Sequence, residues 1–445
     1  MTLLFMPSNI PLQVLQNLNW DEPVTPDDPR FVDTDAARGE DIQHRLMRKF
    51  GYDQSSNRLF AAATKHVLLF GPIGCGKSTE LLRLQATLRT TQVLYPITLN
   101  LRNEVDINNL QYADMLMALA TAVVAELEAK NIAIPTKALG QLRNWFKEHV
   151  ETQEGIKELS VEIQSEISGE VGIPFLAKLM SRLTGKFKNS SNYKDSLRTV
   201  IRNSFTQFVD AFNALIHAAE ASIITRGLGE RLLLIVDGTD KITLADAQRL
   251  FVADTEQLLA IEALVLYTAP ISLKYGGTTH SKLDTDIVLP IIKLADLDGN
   301  KIDLAWDVMR KILAGRIDLT VFREPATIEK MIEYSGGHPR ELLRLLGLAC
   351  ELTDDDRISD ATLERAADKL ADEFRYWLAP EDYAFLAATD HAKGVLVGMD
   401  QRSSNLLWRL ALLQYNNGSW RLSHPLVRRL AEYKKALAAV MAAPV

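Results

Sequence analysis

Two stretches of the 445-residue chain carry residue types at spacings suited to chemistry on a polyphosphate. The first, Gly71-Pro72-Ile73-Gly74-Cys75-Gly76-Lys77-Ser78-Thr79, fits the P-loop pattern G-x-x-x-x-G-K-[ST]. Gly71, Gly74 and Gly76 let the backbone curl until its N–H groups face phosphate oxygens, with Cys75 filling a loop position between them. The N-terminus of the helix that follows the motif adds positive potential, and Thr79 follows Ser78 among the residues expected to line the nucleotide. Lys77 would reach the β- and γ-phosphates, and the Ser78 hydroxyl would ligate magnesium. The second stretch, Leu232-Leu233-Leu234-Ile235-Val236-Asp237-Gly238-Thr239-Asp240, is an apolar run ending in acids. Asp237, at the end of a strand, could hold magnesium through water. Asp240 could polarise an attacking water as general base. The two together predict a site for ATP or a similar nucleoside triphosphate with Mg2+, and hydrolysis of it. An Asp is shorter than the Glu commonly used as base here, so turnover is expected to be slow.

Positioning those residues requires strands that end at them. Lys65–Phe70 is a short apolar run stopping at glycine, as buried parallel strands read. Val93–Leu99, Leu232–Val236, Ala263–Ala269 and Ile287–Ile292 are further strand candidates. Helical periodicity runs through 41–50, 80–88 and 110–130. Strands alternating with helices predict an α/β domain with a parallel sheet. Residues 135–228 are too long for one crossover and predict a helical insertion. From Asp303 to about Leu378 the pattern is all-helical. Beyond Pro380, short helices precede Leu410–Tyr415 and Trp420–Leu422, joined by the Asn416–Ser419 turn, as in a β-hairpin. That order suggests a small winged helix, closed by a last helix with Leu426, Leu430, Tyr433, Leu437 and Val440 on one face. The expected units are an N-terminal arm, read as extended over its first 35 residues, with a linker helix (1–50), the P-loop domain (51–295), a helical lid (296–378) and the winged-helix-like unit (379–445).

These motifs resemble the additional-strand P-loop ATPases, which include AAA+ proteins and STAND signalling ATPases. The resemblance covers most of residues 30–435 and implies that the strand Ala263–Ala269 lies between the two motif strands. Thr268, at its end, becomes the candidate γ-phosphate sensor. Ser335-Gly336-Gly337-His338-Pro339-Arg340-Glu341 resembles the G-x-P and G-x-P-R motifs of these families, which place Pro339 against the adenine and Arg340 on the γ-phosphate. Arg38-Gly39-Glu40 resembles, with Arg and Gly exchanged, the G-R-E segment preceding STAND domains, and would bring Arg38 near the nucleotide. His424-Pro425-Leu426-Val427 fits the STAND layout as well. Residues 269–290 hold Lys274 and Lys282 but no arginine, a departure from ring-forming AAA+ proteins. The resemblance implies a nucleotide-dependent switch in bacterial signalling or antiviral defence, with a protein effector or self-association as partner. The alternative it leaves open is an AAA+-like ATPase acting on DNA through the winged helix, as loaders and transposition regulators do.

Composition narrows the field. The formal net charge of −7 argues against a generally basic nucleic-acid coat. Two cysteines far apart cannot build a disulfide framework or a Cys/His metal cluster, which fits a cytoplasmic setting. No stretch reads as a signal peptide or membrane span. The basic amphipathic run Ile173–Lys188 reads either as a partner or membrane surface or as a packed helix with a basic edge. Arg402, Arg409, Arg421, Arg428 and Arg429 leave two readings of the last unit, DNA contact or structural clamp.

Overall fold

The computed structural model describes residues 8–150, 172–189, 191–275, 282–393, 400–415 and 420–442. Five apolar runs form one parallel sheet: β1 (Lys65–Gly71), β2 (Leu94–Asn100), β3 (Arg231–Asp237), β4 (Leu264–Pro270) and β5 (Asp284–Val288). Their order across the sheet is β2-β3-β4-β1-β5. β4 therefore lies between the two motif strands, as the additional-strand arrangement requires. Strand side chains alternate between faces, so each strand supplies two cores. Val67, Leu69, Leu233, Ile235 and Leu266 pack on Leu81, Leu84 and Leu88 of the helix Lys77–Thr91. Leu68, Phe70, Leu234, Val236 and Tyr267 face the opposite core, with the helices Tyr112–Ala129 and Phe205–Thr225. Covering both faces explains why these strands read as unbroken apolar runs.

Between β2 and β3 the helices Thr136–Val150, Ile173–Asn189, Ser191–Asn203 and Phe205–Thr225 form the insertion. Trp145 anchors it: its ring meets Phe208 edge-on at 4.6 Å, and its Nε1–H donates to the Ser204 hydroxyl at 3.1 Å. Arg198 forks onto buried Asp114 at 2.8 and 2.6 Å, tying the insertion to the helix Tyr112–Ala129. In Ile173–Asn189, Leu176, Leu179, Met180 and Leu183 are buried while Lys178 and Arg182 are exposed. That is a packed helix with a basic edge.

The lid comprises the helices Asp303–Ala314, Pro325–Tyr334, Pro339–Glu351 and Asp360–Arg375. The C-terminal unit follows: helices Pro380–His391 and Gln401–Trp408, hairpin strands β6 (Leu412–Tyr415) and β7 (Trp420–Ser423), and helices Pro425–Arg429 and Ala431–Ala442. The Asn416–Ser419 turn lies outside the described residues.

Three expectations need correction. The fifth strand ends at Val288, not Ile292, because Pro290 has no N–H for the ladder. Ile291 instead packs on Leu413, Tyr415 and Trp420 of the hairpin, and its N–H donates to the Gln414 carbonyl at 3.3 Å. The arm is not extended throughout, since Pro11–Asn17 is a helix opened by proline at its first position. The last helix is two, broken where Leu430 adopts an extended backbone (φ −65°, ψ 140°).

Lid, sheet and hairpin meet at the Gly336-Gly337 turn. The Tyr415 hydroxyl donates to the Gly336 carbonyl at 2.7 Å. Gly337 has φ +80°, and a Cβ there would overlap the Ile292 carbonyl oxygen. Gly337→Ala should therefore cost about 3 kcal/mol or more in chemical denaturation. Gly299→Ala is the control: its φ is also positive, at +85°, but no atom lies within 4 Å of the added methyl. It should cost only about 1 kcal/mol.

Candidate functional site

β1 delivers the chain to Gly71, the loop turns over residues 72–76, and the helix Lys77–Thr91 begins. The Lys77 side chain is 3% exposed, and its ammonium donates to the carbonyls of Gly71 and Pro72 at 2.8 Å each. Its third partner is the Asp240 carboxylate, also at 2.8 Å. Burial works against charge on both groups, but each supplies the other's counter-ion. Lys77 is accordingly held above the usual lysine range and Asp240 below the usual carboxylate range. The second Asp240 oxygen is buried without a hydrogen-bond partner.

Asp237 ends β3 beside the loop. Burial pushes its pKa up, helped by the neighbouring Asp240 charge; the Ser78 hydroxyl, hydrogen-bonded to it, and Lys77 pull the other way. A serine hydroxyl against a half-buried carboxylate is the donor set of a hard divalent cation, so Ser78 and Asp237 fit magnesium. The pair at 237 and 240 is aimed by the next strand. Thr268 is wholly buried at the end of β4, where its hydroxyl accepts from the Gly238 N–H at 3.1 Å and meets the Thr239 hydroxyl at 3.1 Å. It braces the turn that carries Asp240.

Arg38 is 3% exposed and lies beneath the loop. Its guanidinium donates to the Cys75 carbonyl at 2.6 Å, to Thr34 at 2.8 Å and to the Pro290 carbonyl. In this arrangement it pins loop, arm and sheet together. From the lid, Pro339 opens the helix Pro339–Glu351, and the Arg340 stem crosses Gly74 so closely that a Cβ there would sit 2.7 Å from it. Arg340 ends on Asp21 of the arm at 2.5 Å.

Two contributors escaped the sequence reading. His338 is wholly buried: Nδ1 accepts the Glu341 N–H at 3.2 Å, which leaves Nε2–H to donate to the Ile73 carbonyl at 3.0 Å. Burial, reinforced by the Arg340 charge, holds its pKa well below the usual histidine range, so this lid-to-loop bridge is neutral. A polar residue just before Pro-Arg-Glu is a helix-cap signal and could have marked it. The other is the arm, whose Val24 N–H reaches the Thr79 hydroxyl at 3.4 Å. Arm, loop and lid enclose a cleft of about 880 Å3, part of it open to solvent, between Val24, Lys77, Ile312, Pro339 and Leu343. Gly74, Cys75, Gly76, Lys77, Ser78, Thr79, Arg38, Asp240, Pro339 and Arg340 all border it; Thr268 does not, and Gly71 and Asp237 stand behind the loop.

Similarity to solved structures is distant. A Walker-type ATPase of Pyrococcus abyssi superposes with a TM-score of 0.38 at 11% identity, over 94% of this chain and 98% of that one. The Orc1 protein of Aeropyrum pernix in complex with DNA gives 0.35 at 14% identity, over 98% of both chains. Cdc6p of Pyrobaculum aerophilum gives 0.32 at 12% identity, over 92% and 99%. No family model matches the chain, and no curated protein matches its sequence.

The buried pair has a pH signature. Because the folded-state pKa of Asp240 is depressed, its stabilisation is complete above the unfolded value and lost as pH falls through the folded one. Asp240→Asn should lower stability by about 3 kcal/mol or more at pH 7, since it leaves the buried Lys77 without its counter-ion. That deficit should hold down to about pH 4 and shrink below it. Denaturant titrations across pH would show it; a deficit that instead grows on acidification would contradict the assignment.

Proposed function

We propose that this chain binds ATP or a similar nucleoside triphosphate with magnesium, hydrolyses it slowly, and uses it as a two-state switch. One observation carries the reading: the glycine loop with Lys77, Asp240 on the turn after β3 and the lid residue Arg340 converge on one cleft from three separate parts of the chain. In the bound state loop N–H groups and Lys77 would hold the phosphates, with Ser78 and Asp237 holding the magnesium. The metal would supply charge neutralisation to the phosphates. When Lys77 turns to phosphate, Asp240 loses its counter-ion in a buried setting. Its proton affinity rises, which makes it a better acceptor for the proton of an attacking water. Thr268 would act through the turn it braces.

The lid is joined to the loop by His338 and crossed by Arg340, so contacts to a γ-phosphate would bias its position, and their loss on hydrolysis would release it. The C-terminal unit reads as a winged helix serving as clamp. Arg428 forks onto Asp390 at 2.9 and 3.1 Å, Arg429 onto Glu364 and Asp368 at 2.7 and 2.6 Å, and Arg402 lies 3.6 Å from Asp382. Arg409 lies over Trp377 and the buried Arg421 over Tyr275. All five arginines are directed at partners within the chain, which favours the clamp over phosphate contact with DNA. A role in bacterial signalling or antiviral defence, with a protein effector, rests on the resemblance to STAND ATPases. No helix among the described residues is long and apolar enough to cross a membrane.

Lys77→Ala should abolish or greatly weaken binding of magnesium-ATP in calorimetry. Asp240→Asn should bind at least as tightly as the native chain, since the carboxylate competing for Lys77 is gone, while its turnover falls by about 100-fold or more. Native-rate hydrolysis by Asp240→Asn would remove Asp240 as the base.

A further inference from the structure

Arg340 is the cation that the lid extends over the loop, and it already has an anion. Its Nη2 lies 2.5 Å from Oδ1 of Asp21, with the arginine side chain 17% exposed and the aspartate 53%. The pairing leaves the guanidinium incomplete, because Nε is buried without a hydrogen-bond partner. Since the stem is pressed against Gly74, the head group has little freedom to leave the loop. Asp21 belongs to a segment anchored on both sides of the cleft. Before it, the Asp318 N–H donates to the Ser8 carbonyl at 3.0 Å, and Leu18 and Trp20 lie against Gly347 of the lid. After it, Val24 meets Thr79 of the loop helix.

The same ion pair is a partition. Trp20, Asp21 and Arg340 border the main cleft on one side and a second cleft on the other. Trp408 and Arg409 of the C-terminal unit form the far wall of that second cleft. Whatever competes with Asp21 for Arg340 therefore frees the Asp21 carboxylate beside the end of the helix Gln401–Trp408.

We propose that Asp21 is an internal competitor for the γ-phosphate at Arg340 and is thereby a determinant of discrimination between ATP and ADP. The inference rests on the nucleotide-binding reading above. A triphosphate must displace the Asp21 carboxylate to engage Arg340, whereas a diphosphate leaves the Asp21–Arg340 pair intact. In the ADP or empty state the Asp21 carboxylate occupies Arg340, and a third phosphate frees that carboxylate while the arm's other anchors stay in place. An anion held on the arm thus tunes the switch without touching Lys77 or the metal ligands.

A double-mutant cycle tests it. Dissociation constants for magnesium-ADP and for the non-hydrolysed β,γ-imido analogue of ATP are measured on the full chain, on Asp21→Asn, on Arg340→Ala and on the double variant. Asp21→Asn is isosteric and half-exposed, so folding is preserved. It should tighten the triphosphate analogue by up to about fivefold, the range of a partly exposed ion pair, and leave ADP unchanged. In the Arg340→Ala background the same substitution should do nothing. If ADP and the analogue tighten equally, Asp21 acts only as a nearby negative charge and the inference fails. It fails also if the tightening survives without Arg340. A native chain that binds neither nucleotide would bring down the nucleotide reading and this inference together. Native binding of both, with an unaltered ratio in Asp21→Asn, would sink this inference alone.

Discussion

A lysine ammonium with almost no access to water must be surrounded by oxygen, and the site is organised around that requirement. Lys77 meets it with two loop carbonyls and the Asp240 carboxylate. Each acceptor has to be placed. The carbonyls of Gly71 and Pro72 are placed by the turn at the end of β1. Asp240 is placed by the short turn after β3, whose N–H and hydroxyl groups are held by Thr268 on the strand between. The insertion of β4 between β1 and β3 is what lets a residue on one strand hold the turn of its neighbour. The cost of leaving a charge unpaired in such a place is several kcal/mol. It is large enough to fix the relation of loop to turn before any ligand arrives.

The lid is coupled to this centre through a single turn. Gly336, Gly337 and His338 touch the hairpin, the exit of the sheet and the loop respectively. Two further features make the junction stiff. The His338 ring is neutral and has both nitrogens engaged, so it neither titrates in the physiological range nor swings free. Proline at the next position fixes the helix start. The cap recurs in part at His424-Pro425, where Nδ1 accepts the Leu426 N–H at 3.1 Å, burial lowers the histidine to about 3, and the buried Nε2 has no hydrogen-bond partner. A rigid junction is what a switch needs if a small displacement at the phosphates is to move whole helices.

How much of this was legible depends on how local each signal is. The places of Lys77 and Ser78 at a helix start and of Asp237 at a strand end could be read because the glycine spacing and the apolar runs around them are contiguous in sequence, and the five strands followed from the same runs. The fifth was misplaced because Ile291 and Ile292 are as apolar as strand residues; only the partner surface, the hairpin, tells them apart. The role of Arg38 was hidden for a similar reason. Two of its acceptors, Cys75 and Pro290, are 37 and 252 residues away, and no local pattern reports them. Thr268 was correctly placed at a strand end, but alternation alone could not say that its hydroxyl serves the neighbouring turn. Asp21 stands in a stretch rich in acids and proline, where one carboxylate looks like any other until the arm is seen to cross the cleft.

The two carboxylates that hold the site's cations are not equivalent. Asp240 is buried against Lys77, so parting them exposes both to a low-dielectric interior, and only another anion at close range can compensate. Asp21 is half in water, so its release from Arg340 is repaid largely by hydration. A polyphosphate entering the cleft would therefore meet a hard exchange at Lys77 and a soft one at Arg340. On the proposed function, the hard exchange would govern whether anything binds at all, since every nucleotide di- or triphosphate would have to make it. The soft exchange lies at the edge of the cleft, between lid, arm and C-terminal unit, where a difference of one phosphate is felt. On the proposed function, placing the weaker pair there would separate affinity from signalling, because the contact reporting the ligand could change without disturbing the one retaining it.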